Sequence, residues 1–167
     1  MFSIKNLFLF SMAYFFAFST YSEEGDKKNL CSVDEYVQFS CQLDNKKIVS
    51  LCSKNNEKKV SEKNINSIGL VYRYGTESNI ELNYPNDANH SNFGYKSIRQ
   101  EATEDENKYY STRVHFSLGN YKYIVGNSEV FDAKSWLAVD KNGNEIFYSQ
   151  CNDNLTYSNV DIFQYYE

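Results

Sequence analysis

From residue 30 onward the chain alternates apolar and polar positions in short bursts, and β-branched and aromatic residues dominate the apolar set. A period of two is the signature of half-buried strands. Stretches of helical period are scarce, and the best two, Glu57 to Asn64 and Gln100 to Tyr109, are polar enough to be loops. The pattern predicts an all-β fold, an antiparallel β-sandwich or small barrel of about eight to nine short strands.

Turn residues pin four hairpins. In "VHFSLGNYKYIV" the pair Gly119 and Asn120 makes a two-residue turn of the primed type. It sets Leu118 opposite Tyr121, Phe116 opposite Tyr123 and Val114 opposite Val125 on one apolar face, and turns Arg113, His115, Ser117, Lys122 and Ile124 the other way. In "WLAVDKNGNEIFYSQC" the turn Asn142 and Gly143 pairs Val139 with Ile146 and Leu137 with Tyr148. The opposite face then carries Trp136, Ala138, Phe147, Ser149 and Cys151, which suggests a disulfide packed against an indole in the core.

In "LVYRYGTESNIELNY" a loop from Gly75 to Asn79 places Tyr74 opposite Ile80, Tyr72 opposite Leu82 and Leu70 opposite Tyr84, with Arg73 facing Glu81. That makes Arg73 a register pair, worth up to about 1 kcal/mol, rather than a catalytic group. The fourth hairpin runs from Tyr36 to Leu43, turns around Asp44 to Lys46 and returns from Lys47 to Cys52, with Cys41 on one face with Val37 and Phe39.

The start of the chain, "MFSIKNLFLFSMAYFFAFSTYS", breaks the alternation. One cation, Lys5, precedes an uncharged run from Leu7 to Phe18 and then small residues, the layout of a secretory signal peptide. The apolar run is short of the roughly 20 residues a membrane-spanning helix needs. Cleavage after Ser19 or Ser22 fits, and we take residues 1–22 as the signal peptide and 23–167 as a single β-rich domain. Its flexible parts are an acidic loop at 99–109 and a C-terminal tail at 152–167. No stable membrane insertion follows once the signal is removed.

The mature part carries 16 cationic and 22 acidic residues, a net of −6. Nucleic-acid binders show the opposite sign, so a nucleic-acid partner is excluded. The acids cluster in "RQEATEDEN", where Glu101, Glu104, Asp105 and Glu106 gather within six residues beside Tyr109 and Tyr110. Clustered charge steers association, and aromatic side chains near charge serve as interface anchors. These six residues form the candidate surface for a protein partner, such as a basic hydrolase or toxin.

Four cysteines, Cys31, Cys41, Cys52 and Cys151, follow an export signal with no C-x-x-C spacing among them. An even number in an exported chain implies disulfides, and four allow three pairings. If all are paired, Cys151 bonds one of the three N-terminal cysteines and closes a loop of about 100 residues, worth about 4 to 5 kcal/mol. The expected localisation is periplasmic or secreted.

Catalytic chemistry finds little to work with. His90 and His115 are the two imidazoles, the first in a turn-like loop and the second on the polar face of a strand. There is no G-x-S-x-G elbow and no H-E-x-x-H. "DKNGNE", Asp140 to Glu145, opens like a calcium loop but has Glu145 where that loop needs glycine and Cys151 where it needs a bidentate acid. No catalytic residue, metal site or cofactor is assigned.

The combination "FSC…KKIVSLC…YRYG…IELNYP", with a late hairpin ending in cysteine, resembles a widespread family of small exported proteobacterial proteins. The resemblance implies an exported, β-rich, disulfide-bonded fold and no activity. The acidic stretch and the tail are departures from it. More loosely, the architecture is similar to periplasmic inhibitors of lysozymes, whose partner is strongly basic; no site is carried over from them. Three classes follow: a non-enzymatic binding module of the cell envelope, such as an inhibitor or immunity protein; an envelope structural or adhesion accessory protein; and a hydrolytic enzyme using His115 or His90.

Overall fold

The computed structural model describes residues 28–54, 60–86, 92–101, 108–128, 135–152 and 156–158, with backbone alone at 98–101, 108–110 and 157. The expected signal peptide and His90 lie outside the described residues. The strands are β1 (Tyr36–Gln42), β2 (Ile48–Ser53), β3 (Val71–Thr76), β4 (Asn79–Tyr84), β5 (Gly94–Glu101), β6 (Lys108–Leu118), β7 (Tyr121–Ser128), β8 (Ser135–Lys141), β9 (Asn144–Gln150) and the two-residue β10 (Tyr157–Ser158). They form two five-stranded antiparallel sheets, β10-β1-β2-β3-β4 and β5-β6-β7-β8-β9, packed as a sandwich that is not closed into a barrel. No helix occurs among the described residues.

Turn chemistry fixes some registers as expected. Gly119 alone of its pair has a positive φ (59°), and Asn142 and Gly143 both do (52° and 81°), so the tips of β6–β7 and β8–β9 are primed turns of two kinds. Across β6–β7 the expected pairs Val114 with Val125, Phe116 with Tyr123 and Leu118 with Tyr121 form. The residues of "DKNGNE" are the hairpin tip, with Asp140 opposite Glu145 and Lys141 opposite Asn144.

Three bulges correct the rest. In β8–β9 the register slips after Asp140, so Val139 faces Phe147 rather than Ile146, and Leu137 faces Ser149 rather than Tyr148. A single extra residue moves every side chain beyond it to the other face. Phe147 therefore turns to the core, while Ile146 and Tyr148 are exposed.

In β3–β4 the ladder runs on past Tyr74 to Thr76 and Asn79, with no five-residue loop, because Gly75 takes φ +150° where a Cβ would meet the carbonyl of Asn79 at 2.2 Å. Tyr72 faces Tyr84, Tyr74 faces Leu82 and Arg73 faces Asn83. Glu81 pairs instead with Lys47 at 2.6 Å. In β1 a slip between Val37 and Phe39 sets Val37 opposite Cys52, away from the core face of Phe39 and Cys41.

The inner faces meet in an aromatic core. Phe116 stacks on Tyr84 and on Tyr123 with ring centroids 4.1 and 4.9 Å apart, and Phe93 and Tyr72 close in at 5.4 and 4.9 Å. Such pairs contribute about 0.5–1.5 kcal/mol each beyond their buried area. Phe39, Val49, Leu51, Leu70, Val114 and Leu137 fill in around them.

Both disulfides are present, Cys31–Cys52 and Cys41–Cys151. They suit an oxidising, non-cytoplasmic environment. The second ties the sheets at a corner: the chain leaves β9, Cys151 pairs with Leu43, and the Asn152 N–H donates to the Gln42 carbonyl at 2.8 Å. Trp136 is not its neighbour in the core. The indole lies on the outer face of the second sheet across Gly126, with Tyr148 at 5.8 Å, because the β9 slip leaves Trp136, Ala138 and Tyr148 on one face and Cys151 on the other.

Parts of the two segments expected to be flexible are paired in the sheets. Residues 99–101 and 108–109 belong to the β5–β6 ladder, with Glu101 opposite Lys108. Within the tail, Tyr157 and Ser158 pair with Ser40 and Phe39 of β1.

Candidate functional site

All four tight hairpins, β1–β2, β3–β4, β6–β7 and β8–β9, turn at the end of the sandwich where a cleft of about 220 Å³ opens between the sheets. Tyr72 and Tyr74 of β3 form one wall. Tyr121 and Tyr123 of β7, Leu137 and Val139 of β8, and Ile146 and Phe147 of β9 form the other. The alternation that buries Tyr72 and Tyr123 in the aromatic core carries Tyr74 and Tyr121 to the rim, where the core runs out of partners.

The lining is apolar but the rim is charged. Lys47 Nζ sits 5.2 Å from the centre of the Tyr74 ring, and Lys141 Nζ 5.1 Å from that of Tyr121, one cation–π contact on each wall. Asn45 donates to the Tyr74 hydroxyl at 3.1 Å. Burial pushes the Tyr72 phenol well above its ordinary pKa, with neighbouring Tyr123 and Tyr74 adding to it, and burial raises Tyr123 too. Tyr72 and Tyr123 therefore stay protonated near neutral pH, with no nucleophilic phenolate. Rigid rings around an open apolar slot, with hydroxyls at hand, are chemistry for gripping a side chain.

Those expected contact residues that are described lie elsewhere. Backbone pairing puts Tyr109 opposite Gln100 and Tyr110 opposite Arg99 at the start of β6, whereas Tyr123 and Tyr121 of the cleft stand opposite Phe116 and Leu118 near its other end. Six to eight residues of β6 separate Tyr110 from that level, about 20–27 Å at the usual rise. Glu104, Asp105 and Glu106 lie outside the described residues, and Glu101 is the last residue of β5. The four tyrosines of the cleft read from sequence as packing. Their signal was Tyr-x-Tyr occurring twice, each time next to a hairpin tip, at 72–74 and 121–123.

His115 projects from the outer face of β6, its imidazole flat against Gly94, where a Cβ would come within 2.3 Å of Nε2. Burial, then the charges of Lys122 and Lys96, hold its pKa below the ordinary value. Among the described residues no carboxylate contributes to that shift, so none of them supplies the orienting acid of a hydrolytic triad.

A depressed histidine is stabilising while neutral, so stability is complete above about 6.5, the unfolded value, and falls as pH drops towards the folded one. Thermal melts at about pH 7.5 and about pH 5 should show the wild type losing stability relative to His115→Gln. Parallel pH profiles would refute this assignment.

Among the described residues, Cys31, Glu35 and Cys52 bring potential metal-ligand atoms within 4.8 Å of one another. Both sulfurs are spent in one disulfide and Glu35 is held by Arg73, which leaves no donor set for an ion. We find no match to the chain among protein-family models, curated proteins or solved structures.

Proposed function

We propose that the chain is an exported, non-enzymatic binding module that takes a large apolar side chain of a protein partner into the hairpin-end cleft. It would occlude that partner as an inhibitor or immunity protein occludes a hydrolase or toxin. The observation carrying this reading is the tyrosine-walled slot of about 220 Å³. That is smaller than the roughly 300–1,000 Å³ typical of small-molecule sites. It is the size of one protruding anchor, and tyrosine-rich pockets around such anchors are where interface energy concentrates.

Two further features favour the reading. Disulfides suit the periplasm or the extracellular space, where secreted hydrolases and toxins act. A net charge of −6 on the mature chain, with Glu101, Glu104, Asp105 and Glu106 close in sequence, would speed encounter with a basic partner.

The test is calorimetric titration of the purified, oxidised protein against a panel of basic cell-wall hydrolases and secreted nuclease toxins. We expect a stoichiometric complex whose affinity falls about 30-fold or more on Tyr121→Ala or Val139→Lys, the loss of a hot-spot contact worth about 2 kcal/mol. Glu104→Gln with Asp105→Asn should slow association and reduce its salt dependence while leaving dissociation unchanged. A complex indifferent to both cleft variants would overturn the docking mode, and no complex with any member would overturn the partner class.

A further inference from the structure

On the outer face of the second sheet, Lys96 and Arg113 have no ion-pair partner among the described residues. Lys96 of β5 stands directly opposite Arg113 of β6, a like-charged cross-strand pair of the kind that destabilises a sheet. His115 follows two residues along the same strand, and Lys122 follows on β7. The described ion pairs all lie on the first sheet, at Lys28–Glu77, Lys47–Glu81 and Arg73–Glu35. Among the described residues the carboxylates of this face, Asp140 and Glu145, sit opposite each other near the β8–β9 tip, next to Lys122 and away from Lys96 and Arg113.

Arg113 is positioned by an aromatic surface. Arg113, Gly126 and Trp136 follow one another across β6, β7 and β8 in a single register row. Gly126 lets the indole lie flat on the strand, since a Cβ there would fall 2.2 Å from its ring. The guanidinium then rests 5.4 Å from the indole centre, and its Nε is shielded from water with no hydrogen-bond partner. Stacking on a ring orients an arginine without using its terminal N–H groups, which remain free to grip a carboxylate in two places. Tyr148, about half exposed, extends the platform beyond Trp136.

We propose that this face binds an acidic oligosaccharide, with sugar rings lying on Trp136 and Tyr148 and their carboxylates held by Arg113 and Lys96. Flat aromatic rings suit the C–H faces of pyranose rings, and a two-cation row beside them suits carboxylates at sugar spacing. Single-stranded nucleic acid could use a similar combination of stacking and charge. The glycan is favoured because Lys96 and Arg113 make one short row of charge, not a basic groove that tracks a phosphate backbone. The proposal is independent of the cleft, which opens between the sheets rather than on this face.

Trp136 is the one tryptophan of the chain, so its fluorescence reports on this face alone. The oxidised full domain would be titrated with tetragalacturonate, with its methyl ester, and with an oligothymidylate of equal charge. The expected result is a saturable fluorescence change with tetragalacturonate, absent with the ester and weakened about tenfold or more by Arg113→Gln and by Lys96→Gln. Val139→Lys, in the cleft, should leave it unchanged. No saturable response, an equal response to the ester, binding indifferent to both cation variants, or tighter binding of the oligothymidylate would each overturn the assignment.

Discussion

Replacing Cys41 and Cys151 together by alanine should lower the unfolding free energy by about 5 kcal/mol, whereas the same change at Cys31 and Cys52 should cost about 3 kcal/mol. The difference lies in the loops they close: 110 residues separate the first pair and 21 the second. A longer closed loop removes more freedom from the unfolded chain. Position acts in the same direction. Cys41 is fully buried on β1, and its bridge holds the corner where the chain passes from β9 towards β10 and the two sheets meet. Cys31–Cys52 fastens only the segment leading into β1 to the outer face of β2.

A domain of this size has a stability of about 5–15 kcal/mol, so the corner bridge accounts for a third of it or more. Urea melts of the two double variants measure the losses, and thermal melts should place the Cys41/Cys151 variant on the order of 15 °C below the wild type. Equal losses, or a larger loss at Cys31 and Cys52, would show that loop length does not govern the contribution of these bridges.

How far such features can be seen in the sequence depends on whether their cause is local. The β6–β7 register was legible to the residue, because a glycine-led two-residue turn admits one pairing. The β8–β9 turn was legible too, but not the ladder beyond it: Ile146 is one extra residue, and nothing in its identity announces a bulge. Gly75 did carry a signal, since a glycine just before a turn can host a positive φ, yet a long loop used the same residues equally well.

Contacts across the sequence were the least accessible. The row Lys96, Arg113, Gly126 and Trp136 needs three strand pairings at once, and β5 had no turn to place it. The cleft needs both sheets. Each tyrosine sits on the inner face that alternation assigns, and only the end of the opposing sheet decides that Tyr74 and Tyr121 border an opening.

Arg73→Ala should cost about 3–5 kcal/mol, far more than a register pair on an exposed sheet face would. The partner of Arg73 is Glu35, in the segment that crosses the outer face of the first sheet before β1. Two hydrogen bonds join them, one of 2.9 Å from Nη2 to Oε1, and the side chains are 12% and 5% exposed. Asn83 and the Leu30 carbonyl accept from Nε and Nη1 at 3.0 and 3.1 Å. Around them the Leu30 N–H donates to Ser50 Oγ, and Ser40 Oγ donates to the Lys28 carbonyl, so the whole segment is laid on the sheet by polar groups.

Removing the guanidinium strands a buried carboxylate, and that penalty, more than the lost attraction, sets the size of the effect. Arg73→Met combined with Glu35→Leu removes both charges and should therefore be more stable than either Arg73→Met or Glu35→Leu alone. Acid supplies a second readout. Burial pushes the Glu35 carboxyl up, but hydrogen bonds from Arg73 and the Ser32 N–H, with the charges of Arg73 and Lys54, bring it below its usual value. Its stabilisation is then complete above about 4.3, the unfolded value, and is lost as pH falls through the lower folded one. Urea melts from neutral pH down to about pH 3 should show that acid loss shrinking in the double variant. Additive single losses, or an acid limb unchanged in the double variant, would mean that the pair acts as two independent surface charges and that the segment is held by its disulfide alone.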